Sequence, residues 1–114
     1  MNYTELEVWK TSRKLLKRMF VLSDLFPVED LYKLTNRVKR CSISVPSNIV
    51  NGLGRQSNSQ TIPFLQISRS SLFKLETQLF LAFDLNYVSE EQLKHVTSCK
   101  KPCNGFLNYF KLKK

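Results

Sequence analysis

The sequence predicts an all-α protein, a single antiparallel up-down-up-down four-helix bundle over residues 1–114. Three observations predict it. Apolar residues recur at steps of three and four in four separate segments, the period of one helix face. No segment shows the strict alternation of a half-buried strand. The connections are short and carry the Pro, Gly, Asn and Ser residues that stop or cap helices. A chain of 114 residues suits one domain large enough to fold without staples, and short turns favour neighbouring helices of opposite direction.

The first helix is expected to start at a capping box, Thr4 with Glu7. Val8, Trp9, Ser12, Leu15, Leu16, Met19, Phe20 and Ser23 then share one face. Lys10, Arg13, Lys14, Lys17 and Arg18 fall on the opposite face with no acid among them. A solvated helix ordinarily mixes charge signs at this spacing. The stripe is therefore either a face screened by water and salt or one that meets a polyanion. Phe26-Pro27 closes the helix, because a residue before proline avoids the helical region.

The second helix lies within Leu34 to Arg55, starting at Thr35, with Val38, Cys41, Val45 and Ile49 on its buried line. Gly52 and Gly54 can take the left-handed backbone that ends a helix. Pro46 removes one backbone hydrogen bond and crowds the carbonyl of Ser42, so a kink is expected, with Ser42, Ser44 and Ser47 partly serving the freed groups. Ile43 and Val50 form a second apolar flank, which suits a central helix or a subunit interface.

The third helix is capped by Ser57, Asn58 or Ser59 and accepts Pro63 in its first turn. It runs to about Leu85 along Leu65, Ser68, Leu72, Leu75, Leu79 and Phe83, with Phe73 and Phe80 as a second ridge. Ser68, Ser70 and Ser71 allow close approach of a neighbour. Glu76 falls almost on the apolar line, so a polar network with Arg40, another cation or Asn48 of the second helix is expected to satisfy it. Asn86-Tyr87 makes a turn, and Ser89 with Gln92 is a further capping box. The fourth helix carries Leu93, Val96, Cys103, Phe106, Leu107 and Phe110 inward, weakened midway by Pro102 and Gly105.

Charge separates this chain from an ordinary soluble protein: 18 Lys+Arg stand against 9 Asp+Glu, a net +9. Such a balance attracts nucleic acid or anionic surfaces. The longest apolar run, Leu79 to Phe83, is far short of the ~20 residues of a membrane span, so no membrane is expected. The N-terminus has Glu5 and Glu7 where a signal peptide would be basic, then apolar. Three cysteines fit no disulfide framework, and a cytoplasmic setting with reduced thiols is expected.

Catalytic residues are not expected. The one histidine, His95, has no nucleophile motif beside it, and the paired acids Glu29-Asp30 and Glu90-Glu91 stand where helix starts explain them. Gly52-Leu53-Gly54 lacks the Lys-Ser/Thr of a P-loop, although the amides opening the third helix could hold a phosphate beside Arg55. His95, Cys99 and Cys103 recur every four residues. Two of them could share a zinc ion, but the outer pair is separated by about 12 Å of helix and ligands lie ~2.0–2.3 Å from the metal. Neither a metal nor another cofactor is expected. The stripe from Lys10 to Arg18 is about 12 Å long and reaches roughly two to four phosphates. Several copies in a symmetric oligomer would add avidity.

The blocks LEVWK from Leu6, FPVEDLYKLTNRVKRCSISVPSNIVNGLGR from Phe26, FLQISRSSLFKLE from Phe64 and LNYVSEE from Leu85 cover nearly the whole chain. Through them it resembles the bacterial four-helix-bundle family known from open reading frames in 23S rRNA intervening sequences. It is also similar to the accessory variability determinant proteins of diversity-generating retroelements. The resemblance implies a non-enzymatic bundle assembled into a ring, commonly a homopentamer. For retroelement members it implies a basic surface that binds nucleic acid and a partner reverse transcriptase. Arg40, Asn48, Gly52, Arg55 and Glu76 match the family pattern. Asn51 and Lys74 stand where glutamates are usual, and Ser70-Ser71 where a glycine-serine pair is usual. Losing two acids makes the surface more basic.

The sequence thus points to a non-catalytic oligomer that binds RNA or DNA backbone through Lys10, Arg13, Lys14, Lys17 and Arg18, with Arg55 helping. Such a protein would be an accessory to an RNA- or reverse-transcription-related process. Trp9 lies on the apolar face, so base stacking is not expected. The alternative is an interaction scaffold whose basic face docks an acidic partner protein.

Overall fold

The structure, a computed structural model, describes residues 3–94 together with Lys101, Asn104, Gly105 and Asn108. Its regular elements are all helical among the described residues. A 3-10 turn, Tyr3–Glu5, leads into α1 (Glu7–Asp24), α2 (Leu34–Leu53), α3 (Asn58–Asp84) and α4 (Glu90–Leu93). Val96, Cys103, Phe106, Leu107, Phe110 and Pro102, assigned above to the fourth helix, lie outside the described residues, as do His95 and Cys99.

The start of α1 differs from the capping-box expectation. The cap position is Leu6, in extended backbone and without a side-chain cap, so the Thr4-Glu7 box does not open the helix. Hydrophobic contact fixes the entry instead. Leu6 packs on the core, and the Tyr3 ring meets Trp9 edge-on with centroids 5.4 Å apart. Along α1, Val8, Ser12, Leu15, Met19, Leu22 and Ser23 are buried. Trp9, Leu16 and Phe20 are only half-buried, and Leu22 takes the place that the pattern gave to Phe20. Ser12 and Ser23 turn their hydroxyls to the carbonyls of Trp9 and Phe20, so neither leaves a buried donor unpaired.

α2 begins one residue before Thr35, after Lys33 in a left-handed conformation (φ 55°). Thr35 is not the cap. Its backbone N–H and its hydroxyl both donate to the Asp30 carboxylate, at 2.8 and 3.2 Å. An acid folded back from the preceding loop thus serves the orphan donors of the first turn. Asp30 also accepts from the Tyr32 N–H and the Tyr87 hydroxyl, so it ties the α1–α2 loop to the α3–α4 turn. Phe26 packs against the Tyr87 ring at 5.2 Å beside this knot.

Pro46 sits inside an unbroken α2. Two of the three hydroxyls expected to serve its freed partner bond elsewhere: Ser42 donates to Lys39, and Ser44 pairs with Ser71 of α3. Gly52 and Gly54 do not use left-handed backbone; no glycine among the described residues has positive φ. Gly52 is buried within the helix, and a Cβ there would stand 3.1 Å from Cβ of Phe64 and 3.2 Å from the Thr61 carbonyl. Its smallness lets α2 and α3 touch.

Four hydrogen-bonded pairs join α2 to α3, in opposite order along the two helices. Gly52 pairs with Thr61, Val45 with Ser68, Ser44 with Ser71, and Cys41 with Gln78. Ser68 and Ser71 are buried at this seam, while Ser70 is exposed. Ser57 caps α3 by accepting from the Gln60 N–H. This start puts Pro63 in the second turn rather than the first. The α3 core line ends on Ala82, fully buried, and not on Phe83, which is 39% exposed. Asn86 turns the chain with φ 66°, and Ser89 and Gln92 form the reciprocal capping box that opens α4.

Candidate nucleic-acid interface

α1 sorts its side chains by chemistry. The buried line needs Val8, Leu15, Met19 and Leu22 inside, so the intervening positions are forced outward. Lys10, Arg13, Lys14, Lys17 and Arg18 occupy those positions and all five are exposed. Among the described residues none of them pairs with a carboxylate. The one ion pair there joins Lys39 to Asp24, at the far end of α1. Glu7 and Asp24 are the acids of α1, one at each end. Five like charges on about 12 Å of helix therefore raise the local potential without internal compensation.

Two features shape this stripe. The Arg13 guanidinium lies over the Trp9 ring at 5.3 Å, a cation–π contact that fixes it near the start of the stripe. The Trp9 ring is thus contacted by both Arg13 and Tyr3. Toward the other end, Lys14, Lys17 and Arg18 rim a groove of about 420 Å³ whose apolar wall includes Val21, Leu22 and Leu25, with Gln92 of α4 across it. The cations are not all set opposite the apolar side, because the stripe borders greasy surface along this stretch.

Arg55 stands apart from the α1 cations, in the connection between α2 and α3, stacked over Phe64 at 4.2 Å. The predicted polar network comprises Arg40, Asn48 and Glu76. Asn48 is half-buried and donates to both the carbonyl and the hydroxyl of Ser44 in its own helix. Glu76 is half-buried, and Arg40 is exposed.

A second basic cluster escaped the sequence reading. Arg37, Arg40 and Lys74 line a cleft of about 300 Å³ between α2 and α3, over Cys41, Ser44 and Ser71. The signal was present as spacing, since Arg37, Arg40 and Ser44 follow helical steps, as do Ser71, Lys74 and Gln78. What the spacing lacks is the register that sets one row against the other.

The His95, Cys99 and Cys103 row lies outside the described residues. No helix among the described residues is long and apolar enough to cross a membrane. The family model described as 23S rRNA-intervening sequence protein matches residues 4–108. No curated protein matches the sequence.

Proposed function

The chain belongs to the 23S rRNA-intervening sequence protein family, and on that footing we propose that it is a non-catalytic bundle binding nucleic-acid backbone through the exposed face of α1. The observation carrying this reading is the uncompensated row Lys10, Arg13, Lys14, Lys17 and Arg18. Phosphates neutralise such a row and release condensed counterions, which gives affinity without base readout. Arg55, held by Phe64, adds a contact at the end of the molecule. The reading includes a cytoplasmic setting and a role in an RNA- or reverse-transcription-related process.

The same reading includes an antiparallel up-down-up-down bundle whose copies form a ring, a pentamer by the family resemblance. The opposite order of the α2–α3 hydrogen bonds supports the antiparallel part. Exposed Ile67, Phe80 and Leu81 on α3, with Ile43 on α2, support assembly, since a lone soluble chain rarely leaves so many large apolar groups in water.

One observation favours a protein partner for the stripe. Val21 and Leu25 beside Lys14, Lys17 and Arg18 suit an acidic amphipathic helix, a reverse transcriptase segment included. Two measurements separate the readings. Binding of single-stranded RNA and duplex DNA across a salt series should give log K falling linearly with log salt, with a slope magnitude of about 1.4–3.6 per protomer for two to four phosphates. A flat line rejects nucleic-acid binding. A partner protein retained after nuclease treatment favours the docking reading.

A further inference from the structure

We propose that the α2–α3 cleft is a phosphate-binding site distinct from the α1 stripe. Its mouth is basic on both sides. Arg37 and Arg40 stand three residues apart on α2, and Lys74 faces them from α3; all three are exposed. Among the described residues no carboxylate lines the cleft and none of the three cations is in an ion pair. Three like charges around one cavity repel one another, and an anion seated among them relieves the repulsion.

The cavity is built rather than incidental. Two bridges span it and fix its width. Ser44 and Ser71 share a hydrogen bond of 2.7 Å, and the Gln78 amide donates to the Cys41 sulfur at 3.4 Å. The Ser44 hydroxyl is itself held by the Asn48 amide at 3.0 Å. The cations therefore project from two helices whose spacing these bridges hold.

Chemistry selects the ligand class. Two guanidiniums offer forked donors that match the oxygens of a phosphate group, and the Lys74 ammonium adds a point charge. At about 300 Å³ the cleft is roughly tenfold larger than the ~30 Å³ share of one water, leaving space for a phosphate with the sugar it carries. The group can come from a nucleic-acid backbone or from a free phosphorylated compound. The site stands on its own geometry and does not depend on whether α1 binds anything.

The test is an NMR titration of the full ¹⁵N-labelled chain with inorganic phosphate, with adenosine monophosphate and with a short single-stranded RNA. Phosphate and the nucleotide should shift the side-chain Nε–H signals of Arg37 and Arg40 and the backbone amides around Ser44 and Ser71. The double variant Arg40→Gln/Lys74→Gln should weaken nucleotide binding by about tenfold. Arg69→Gln/Lys94→Gln, which removes the same net charge at exposed positions outside both basic sites, should leave it within twofold. Thermal melting of both variants checks folding, and the exposure of all four side chains predicts little change. RNA displacing the nucleotide identifies backbone as the source; nucleotide binding without displacement by RNA identifies a free phosphorylated compound. The site is refuted by an absence of shifts at Arg37 and Arg40, or by equal weakening in the two double variants.

Discussion

The Ser68 hydroxyl of α3 donates to the carbonyl oxygen of Val45 on α2 at 2.8 Å, one residue before Pro46. Both groups are buried, so the bond is made where water cannot replace it. Ser68→Ala should cost about 1 kcal/mol, the usual net worth of a neutral hydrogen bond. Ser68→Val should cost more, because its branched side chain also forces the helices apart. Urea unfolding of the two variants gives the comparison. Equal stabilities for the alanine and valine forms would mean that close approach at this seam is unimportant.

Gly52 and Gly54 should respond differently to alanine. Alanine in a helix interior gains about 1 kcal/mol over glycine. At Gly52 the new methyl meets the Phe64 Cβ at 3.1 Å and the Thr61 carbonyl at 3.2 Å. Overpacking of this kind costs about 1–3 kcal/mol, and α3 backbone cannot step aside as a flexible side-chain tip would. Gly52→Ala should therefore lower the melting temperature. Gly54 has φ −79° and only ordinary contacts at 3.7 Å and beyond. Gly54→Ala should leave stability unchanged or slightly raised. A large loss at position 54 would restore the left-handed cap that the sequence suggested.

How much of the fold could be read in advance depended on the range of the interaction. The buried lines of α1 and α2 were legible through Val8, Leu15, Met19, Val38, Val45 and Ile49, because one helix face sets their spacing. The Ser89–Gln92 box was legible because both partners lie within one turn. The α2 cap was not, since Asp30 reaches Thr35 only after the loop folds back, while Thr35 looked like a cap by composition. Phe83 and Ala82 are both apolar neighbours at the end of a 27-residue helix, and the packing partners choose between them. The cations of α1 were legible as one row, whereas Arg37, Arg40 and Lys74 meet only through the register of α2 on α3.

Alkaline pH should probe the knot at Asp30. Burial, and then the Asp30 carboxylate beside it, push the Tyr87 phenol above its ordinary value. The phenol ionises near pH 10 in the unfolded chain and only at higher pH in the folded one. The folded state therefore holds more protons in that interval, and stability falls as pH rises. The contribution is complete below about pH 10 and lost above it as the folded group titrates. Other groups also titrate in this range, so the informative quantity is the difference between the parent and Tyr87→Phe. Denaturant midpoints from pH 8 to 11.5 should show the parent falling more steeply than the variant. Parallel curves would remove Tyr87 from the account.

Neutralising part of the α1 stripe should change affinity and salt response together. Lys14 and Lys17 are exposed and without an acidic partner among the described residues, so Lys14→Gln/Lys17→Gln should fold as the parent does. Each phosphate contact contributes about 0.7 to the salt slope on a single strand and about 0.9 on duplex DNA. Losing two contacts should lower the slope by about 1.4–1.8 and weaken binding to every sequence alike. Trp9 gives an internal control. Its ring already carries Arg13 at 5.3 Å, so a base competing for that face would have to displace a guanidinium, and base identity should matter little. The measurement is a salt series on homopolymers of different base. A slope unchanged by the double substitution would move the phosphate contacts off α1. Strong preference for one base would require a reading surface that the stripe does not provide.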